Sequence, residues 1–286
     1  MSILGKARMI TLGFIMLLLI VGARPVFGIT WGIEDSENIY SNVCMMGVSA
    51  DVNGERIKVG MCTGTLINSK VVLTAGHCID YIWSMEGVFG PDNVFVEVFF
   101  DPDLFSANPG EGLAVEEYIA HPDYSSINNA NPHDVGALIL RKPIKRIEPA
   151  MLPELGKLDE LKNEGVLGSG PDRGKFIVVG FGASLEWPPP VINYYFIRQY
   201  AESEYRGLLP AWLNLSQNKA TGDGGSCSGD SGGPVFWHDE ETGDDILVGI
   251  TSWGDPNCIS SSFNYRADIQ ETLDFIEEVL SSLRKH

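Results

Sequence analysis

The sequence predicts an all-β protein, a sandwich or barrel of many short strands, closed by a single C-terminal α-helix. Three observations carry that expectation. Short β-rich runs with apolar alternation follow one another from Val43 to Ile250. Turn signals separate them, among them Val52-Asn53-Gly54, Asp101-Pro102-Asp103, Asn108-Pro109-Gly110, Asn131-Pro132 and Glu241-Thr242-Gly243-Asp244. Helical periodicity is clear only at the end, where Ile269, Leu273, Ile276, Leu280 and Leu283 recur at alternating four- and three-residue steps.

The elements can be taken in chain order. Lys6 and Arg8 give a positive start, and Met9 to Val21 is mostly apolar. That run is short for a bilayer span and suits a signal-peptide core; an uncleaved membrane anchor is the alternative. Cleavage fits after Ala23 or after Gly28, which makes residues 1–28 a signal segment, with 24–28 a short propeptide in the first case. Strands are expected at Val43–Ala50, Ile57–Ile67, Lys70–Leu73, Val94–Phe99, Leu113–Ile119, Ala137–Leu140, Phe176–Phe181, Tyr194–Tyr200, Gly233–Trp237 and Ile246–Trp253. The stretch from Lys142 to Lys175, rich in proline and glycine, reads as the connection between two halves. Trp187-Pro188-Pro189-Pro190 reads as a rigid surface loop, because proline fixes φ and removes a ladder donor. For the terminal helix, Asp268 is placed to cap the start, and Arg284 and Lys285 suit the negative end of the dipole.

Composition narrows the class. The chain has 286 residues, 44% of them hydrophobic and 20% charged, enough apolar content for one large domain or two fused small ones. Its formal net charge is −18; without residues 1–28 the 20 basic residues fall to 17 against 38 acidic ones, for a net charge of −21. Such a surface repels nucleic acid and anionic lipid, and its plainest meaning is solubility. Five cysteines, Cys44, Cys62, Cys78, Cys227 and Cys258, fit an exported, oxidising setting, and the sequence alone does not fix which of them pair.

Three motifs carry chemistry. Thr74-Ala75-Gly76-His77-Cys78 offers a base, His133-Asp134-Val135-Gly136-Ala137-Leu138 an orienting acid, and Gly229-Asp230-Ser231-Gly232-Gly233-Pro234 a nucleophile. A serine hydroxyl attacks well only when a neighbouring imidazole takes its proton and a carboxylate fixes that imidazole's tautomer. A glycine-rich turn alone would read as a tight hairpin, and a lone His-Cys pair as a metal site. No further ligands stand at metal spacing, so His77 is expected to act as a general base, with no metal or cofactor. His121 and His133 match no motif and are expected on the surface or in loops.

At these residues the chain resembles the chymotrypsin-fold serine proteases, and looks most like the secreted, trypsin-like members found in bacteria. The order His, Asp, Ser is that family's order. The likeness extends over Cys62-Thr63-Gly64-Thr65-Leu66-Ile67, Leu213-Asn214-Leu215-Ser216-Gln217-Asn218, Gly222 to Pro234 and Gly249-Ile250-Thr251-Ser252-Trp253-Gly254. It implies two six-stranded Greek-key β-barrels, about 29–150 and 151–267, with the active site between them and a helix at 268–283. It also implies disulfides Cys62–Cys78 and Cys227–Cys258, an oxyanion hole from the Gly229 and Ser231 N–H groups, and Ser252 as a partner of Asp134.

Two further expectations rest on this resemblance. Ile29-Thr30-Trp31-Gly32 looks like the family's activated N-terminus, so Ile29 would pair with Asp230 once freed; Gly28 precedes it, where the family has Arg or Lys. Gly225 stands six residues before the nucleophile, where trypsins carry an aspartate that binds Lys or Arg. With Ser226 beside it, Gly254 at the mouth and Phe263 near the back wall, the pocket is expected to take a neutral P1 residue, apolar or small; Asp223 would contribute only if the loop differed. Trp253 belongs to the edge on which a peptide would lie as an added strand. The expected function is secreted or periplasmic serine endopeptidase, a monomer acting on protein or peptide, with no nucleic acid and no stable membrane association. A catalytically silent binding protein on the same scaffold is the alternative. Asn214-Leu215-Ser216 is a glycosylation sequon.

Overall fold

The computed structural model describes residues 29–168, 174–186 and 191–284. The signal segment, the propeptide 24–28, Trp187-Pro188-Pro189-Pro190 and Lys285 lie outside the described residues. Among the described residues there are fifteen strands and three α-helices; twelve of the strands form two closed six-stranded antiparallel barrels, and a helix stands at the C-terminal end.

The first barrel runs in the order β2 (Val43–Val52), β3 (Glu55–Asn68), β4 (Val71–Thr74), β7 (Gly136–Leu140), β6 (Leu113–Ala120) and β5 (Val94–Phe99), and β5 closes back onto β2. The β2–β3 hairpin turns on Asn53 and Gly54, both at positive φ (59° and 86°), the geometry that matches strand twist in a two-residue loop. Inward residues such as Leu66, Val72, Val98 and Leu138 are fully buried.

The second barrel is formed by β8 (Lys175–Gly180), β11 (Gln199–Leu208), β12 (Trp212–Ser216), β15 (Ser261–Arg266), β14 (Asp245–Gly254) and β13 (Pro234–His238), with β13 and β11 both pairing β8 to close it. Its core contains Phe176, Val178, Leu213, Leu215, Val235 and Val248, and also Ile29. The first strand, β1 (Ile33–Glu34), pairs with β11 and so lies on this barrel. A separate hairpin joins β9 (Ala183–Glu186) to β10 (Val191–Tyr194).

Several expectations change. The run Tyr194–Tyr200 is not one strand: β10 ends at Tyr194 and β11 begins at Gln199, with Phe196 at φ 55° between them. Helix α1 (Gly76–Phe89) follows directly on Thr74-Ala75 and buries Cys78, Ile79 and Ile82 on one face. Its glycines and β-branched residues hide the periodicity. The connecting segment holds a short helix, α2 (Lys157–Asn163), with Leu158 and Leu161 buried. The terminal helix α3 (Gln270–Leu283) is present, but Asp268 does not cap it; the N-cap is Ile269, with no side-chain bond. Asp268 instead accepts from the Leu158 N–H at 2.8 Å and from Arg266 at 2.9 Å, so it fastens α2 to the end of β15.

Candidate active site

His77 is the second residue of α1, and Asp134 stands two residues before β7. Strands β4 and β7 pair with Thr74 opposite Gly136, which brings the two segments side by side. The His77 N–H donates to Asp134 Oδ1 at 2.8 Å, and His77 Nδ1 lies 2.9 Å from Oδ2. An ionised carboxylate only accepts, so Nδ1 carries the proton and Nε2 presents its lone pair. The Ser252 hydroxyl, on β14, donates to the same Oδ2. Asp134 is 3% exposed. Burial alone would raise its pKa; the charge and hydrogen bonds of His77 and the Ser252 hydroxyl bring it below the ordinary value. For His77, burial pulls the pKa down, but the charge and hydrogen bond of Asp134 outweigh it and leave it raised.

Ser231 shares a cavity with His77, between the barrels. Its turn is bound to the first barrel by backbone: the Thr63 N–H donates to the Ser231 carbonyl at 2.8 Å, and the Thr63 hydroxyl to the Gly229 carbonyl at 3.0 Å. Thr63 follows Cys62, which is bridged to Cys78 next to His77. Nucleophile turn and base are thus held through the same two-residue stretch of β3. Gly232 has φ 81°, and a β-carbon there would come 2.0 Å from the Thr74 Oγ1, so this close approach admits only glycine. Among the described residues, the Gly229 and Ser231 N–H groups donate to no protein acceptor.

Cys227 and Cys258 form the second disulfide, and Cys44 is free and buried. Cys62, Cys78 and His77 come together closely, but the two sulfurs are bonded to each other and supply no thiolate ligand. His121 and His133 lie in loops, as expected, and are half-buried there, stacked on each other at 4.7 Å, with Phe275 of α3 against His121.

Ile29 and Asp230 are both fully buried, but the structure does not join them. The Ile29 N–H, in peptide linkage to Gly28, donates to Gln199 Oε1 at 3.1 Å. Asp230 accepts from the Gly182 N–H at 2.7 Å and the Cys227 N–H at 2.8 Å, with no cation in contact among the described residues. Burial therefore raises its pKa to about 8, against the partial relief of those two bonds.

A second cavity, about 170 Å³, opens on the other side of Ser231. Ser226, Trp253 and Gly254 line it, together with the Cys227–Cys258 bridge and Asp255. Two expected residues do not line it. Gly225 pairs in both directions with Thr30, and a β-carbon on it would fall 2.6 Å from Gln217 Cγ. Phe263 stacks on Trp253, with ring centroids 4.0 Å apart, and supports it from behind. The contact of Gln217 is what motif reading does not give: fully buried, it donates to the Ser226 carbonyl. Its sequence signal is its place in the Leu213–Asn218 stretch, which does not say what the side chain touches. Asp223 is buried and bonded to Thr221. Asn214 sits inside β12 with its side-chain amide donated to the Ser262 carbonyl at 2.9 Å.

A family model described as Trypsin matches residues 35–276. The chain is similar to the clotting factor G beta subunit of Tachypleus tridentatus, 28% identical over 208 residues, covering 68% of this chain and 62% of that one. It is similar to kallikrein-8 of Mus musculus, 28% identical over 222 residues (72% of this chain, 70% of the other). It is also similar to a trypsin of Phaedon cochleariae, 29% identical over 214 residues and 68% of each chain. These relatives are animal proteins and lend nothing to a bacterial source.

Proposed function

The chain belongs to the trypsin family, and on that premise we propose that it is a serine endopeptidase that hydrolyses peptide bonds through an acyl-enzyme on Ser231. One observation carries the reading: a histidine held by a buried carboxylate through two hydrogen bonds shares a cavity with Ser231.

In this reading Ser231 Oγ attacks the peptide carbonyl as His77 Nε2 takes its proton. Asp134 stays ionised and stabilises the imidazolium, and Ser252 holds the carboxylate in place. The oxyanion is met by the Gly229 and Ser231 N–H groups, which have no other acceptor among the described residues; each such donor is worth about 10²–10³ in kcat. His77 then hands the proton to the leaving amine, and water repeats the sequence in reverse on the acyl-enzyme. A fluorophosphonate probe should label the active protein, and Ser231→Ala should lose both labelling and peptide hydrolysis. Hydrolysis surviving in that variant would sink the reading; a probe that never labels the wild type would favour the silent binding protein.

The P1 residue is neutral in this reading. The cavity beside Trp253 and Gly254 has no charge at its base, and the only ionisable side chain on its described wall, Asp255, already accepts the Ile259 N–H at 3.0 Å. A peptide library profile should show apolar or small P1 residues; dominance of Arg and Lys would overturn this and point to Asp255. The protein works outside the cell: residues 1–28 direct export, and the two disulfides suit an oxidising medium. Among the described residues no helix is long and apolar enough to cross a membrane. Cleavage before Ile29 frees an ammonium that replaces the Gln199 contact and pairs with Asp230, ordering the oxyanion turn.

A further inference from the structure

The cavity that Ser231 shares with His77 is the larger of the two, about 660 Å³ against about 170 Å³. That size lies in the range of well-formed ligand sites. His77 lines only this one. Because His77 must deliver a proton to the departing amine, the leaving-group half of the substrate lies on the side of His77. The acyl half then lies along Ser252–Gly254, in the smaller cavity.

The walls of the large cavity come from both halves of the molecule. Met45, Met61, Phe99 and Tyr81 belong to the first, and Tyr194 and Phe196 to the second. Two glycines stand one step apart on β2 and β3, since Gly47 pairs with Met61 and Val48 with Gly60. A β-carbon on Gly60 would come 2.3 Å from Tyr81 Cε1, and one on Gly47 would come 3.3 Å from Phe99 Cε2. Their absence lets both rings lie against the strands and wall the space instead of filling it. Two of the charged residues that line it are engaged: Lys58 Nζ donates to the Ala107 carbonyl at 2.8 Å, and Glu97 accepts the Gly110 N–H at 2.7 Å, while Asp80, beside His77, is exposed.

We propose that this cavity selects substrates alongside the smaller one, by receiving a bulky apolar side chain, aromatic above all, from one of the first two residues of the leaving-group half. The proposal rests on Ser231 being the nucleophile. Thioether and aromatic walls adapt to a large ring and gain little from a methyl.

The test uses the cleaved, active protein and internally quenched peptides with one fixed acyl half. The two positions after the scissile bond are varied among Ala, Leu, Phe and Trp. Phe or Trp at one of them should exceed Ala at least tenfold in kcat/KM, as expected for burial of a large side chain. Tyr194→Ala opens the wall and Met61→Trp fills the space; each should cut the Phe-to-Ala ratio at least threefold. The ratio is internal to each preparation, so a poorly folded fraction does not alter it. Equal rates for all four residues in the wild type, or a ratio unmoved in both variants, would overturn the proposal while leaving the endopeptidase reading intact. If no peptide is cleaved in a Ser231-dependent manner, that reading fails and this proposal with it.

Discussion

Asp230 is a carboxyl buried among backbone N–H groups, one residue from the serine whose turn it shapes. Its pKa of about 8 in the uncut chain lies above the ordinary carboxylate value near 3.9 that it would have when unfolded. The folded state therefore holds the proton more tightly, and the stability of the uncut chain falls as pH rises from about 4 to about 8. Denaturant melts of the uncut protein across that window should show the decline, and Asp230→Asn should flatten it. In the cleaved protein an Ile29 ammonium would supply the missing charge, and the decline should shrink; active protein whose first residue is Arg24 would count against this. His77, Asp134 and Ser231, on which the proposed mechanism rests, stand out in the sequence because each is embedded in a short local motif. The contact of Gln217 does not, since it depends on Gly225 and Ser226 being folded over that side chain. The same holds for Phe263, where proximity was foreseen but not that Trp253 would stand between it and the cavity.

At the scale of elements, the strands of the first barrel were readable from alternation, and β5 (Val94–Phe99) matches to the residue. Strands β12 and β15 were missed because Asn214, Ser216, Ser261, Ser262 and Asn264 break the apolar pattern; their polar groups bond within the sheet, as Asn264 does to the Leu213 carbonyl at 3.2 Å. Helix α1 was missed for a different reason: tertiary packing on β6 and β7 stabilises a segment of poor intrinsic propensity. The Cys62–Cys78 bridge closes a loop of 16 residues around the start of that helix. Its replacement by two alanines should cost about 3 kcal/mol. Activity should fall more than the lost folded fraction explains, because the bridge holds His77 to the strand that carries Thr63. Parallel chemical melts and active-site titration check both parts; activity that tracks the folded fraction alone would refute the positioning role.

For the whole molecule, Arg198 is the joint. Fully buried at the start of β11, it pairs with Asp35 at 2.8 Å and donates to the carbonyls of Val43 and Phe100, at 3.0 Å each. One side chain thus ties the N-terminal segment, the first barrel and the second. Arg198→Ala leaves the buried Asp35 carboxylate without a cation, held only by the Ile39 and Tyr40 N–H groups, and should cost about 3–5 kcal/mol in denaturant melts. The double change with Asp35→Asn should recover part of that loss. A single change costing under about 1 kcal/mol would refute the clamp. Composition and spacing hold no trace of this contact, which joins residues 163 apart in sequence. The two ends of the chain are likewise exchanged. The residues after Ile29 lie on the second barrel, while α3, at the far end, meets the first half through Glu271 with Asn131 and Phe275 with His121. A ribosome delivers the chain from one end only, so the earliest segment waits for β11 and the first half waits for the last helix. The contacts that join the halves at β1 and at α3 therefore form late in synthesis, after every strand of the first barrel has been made.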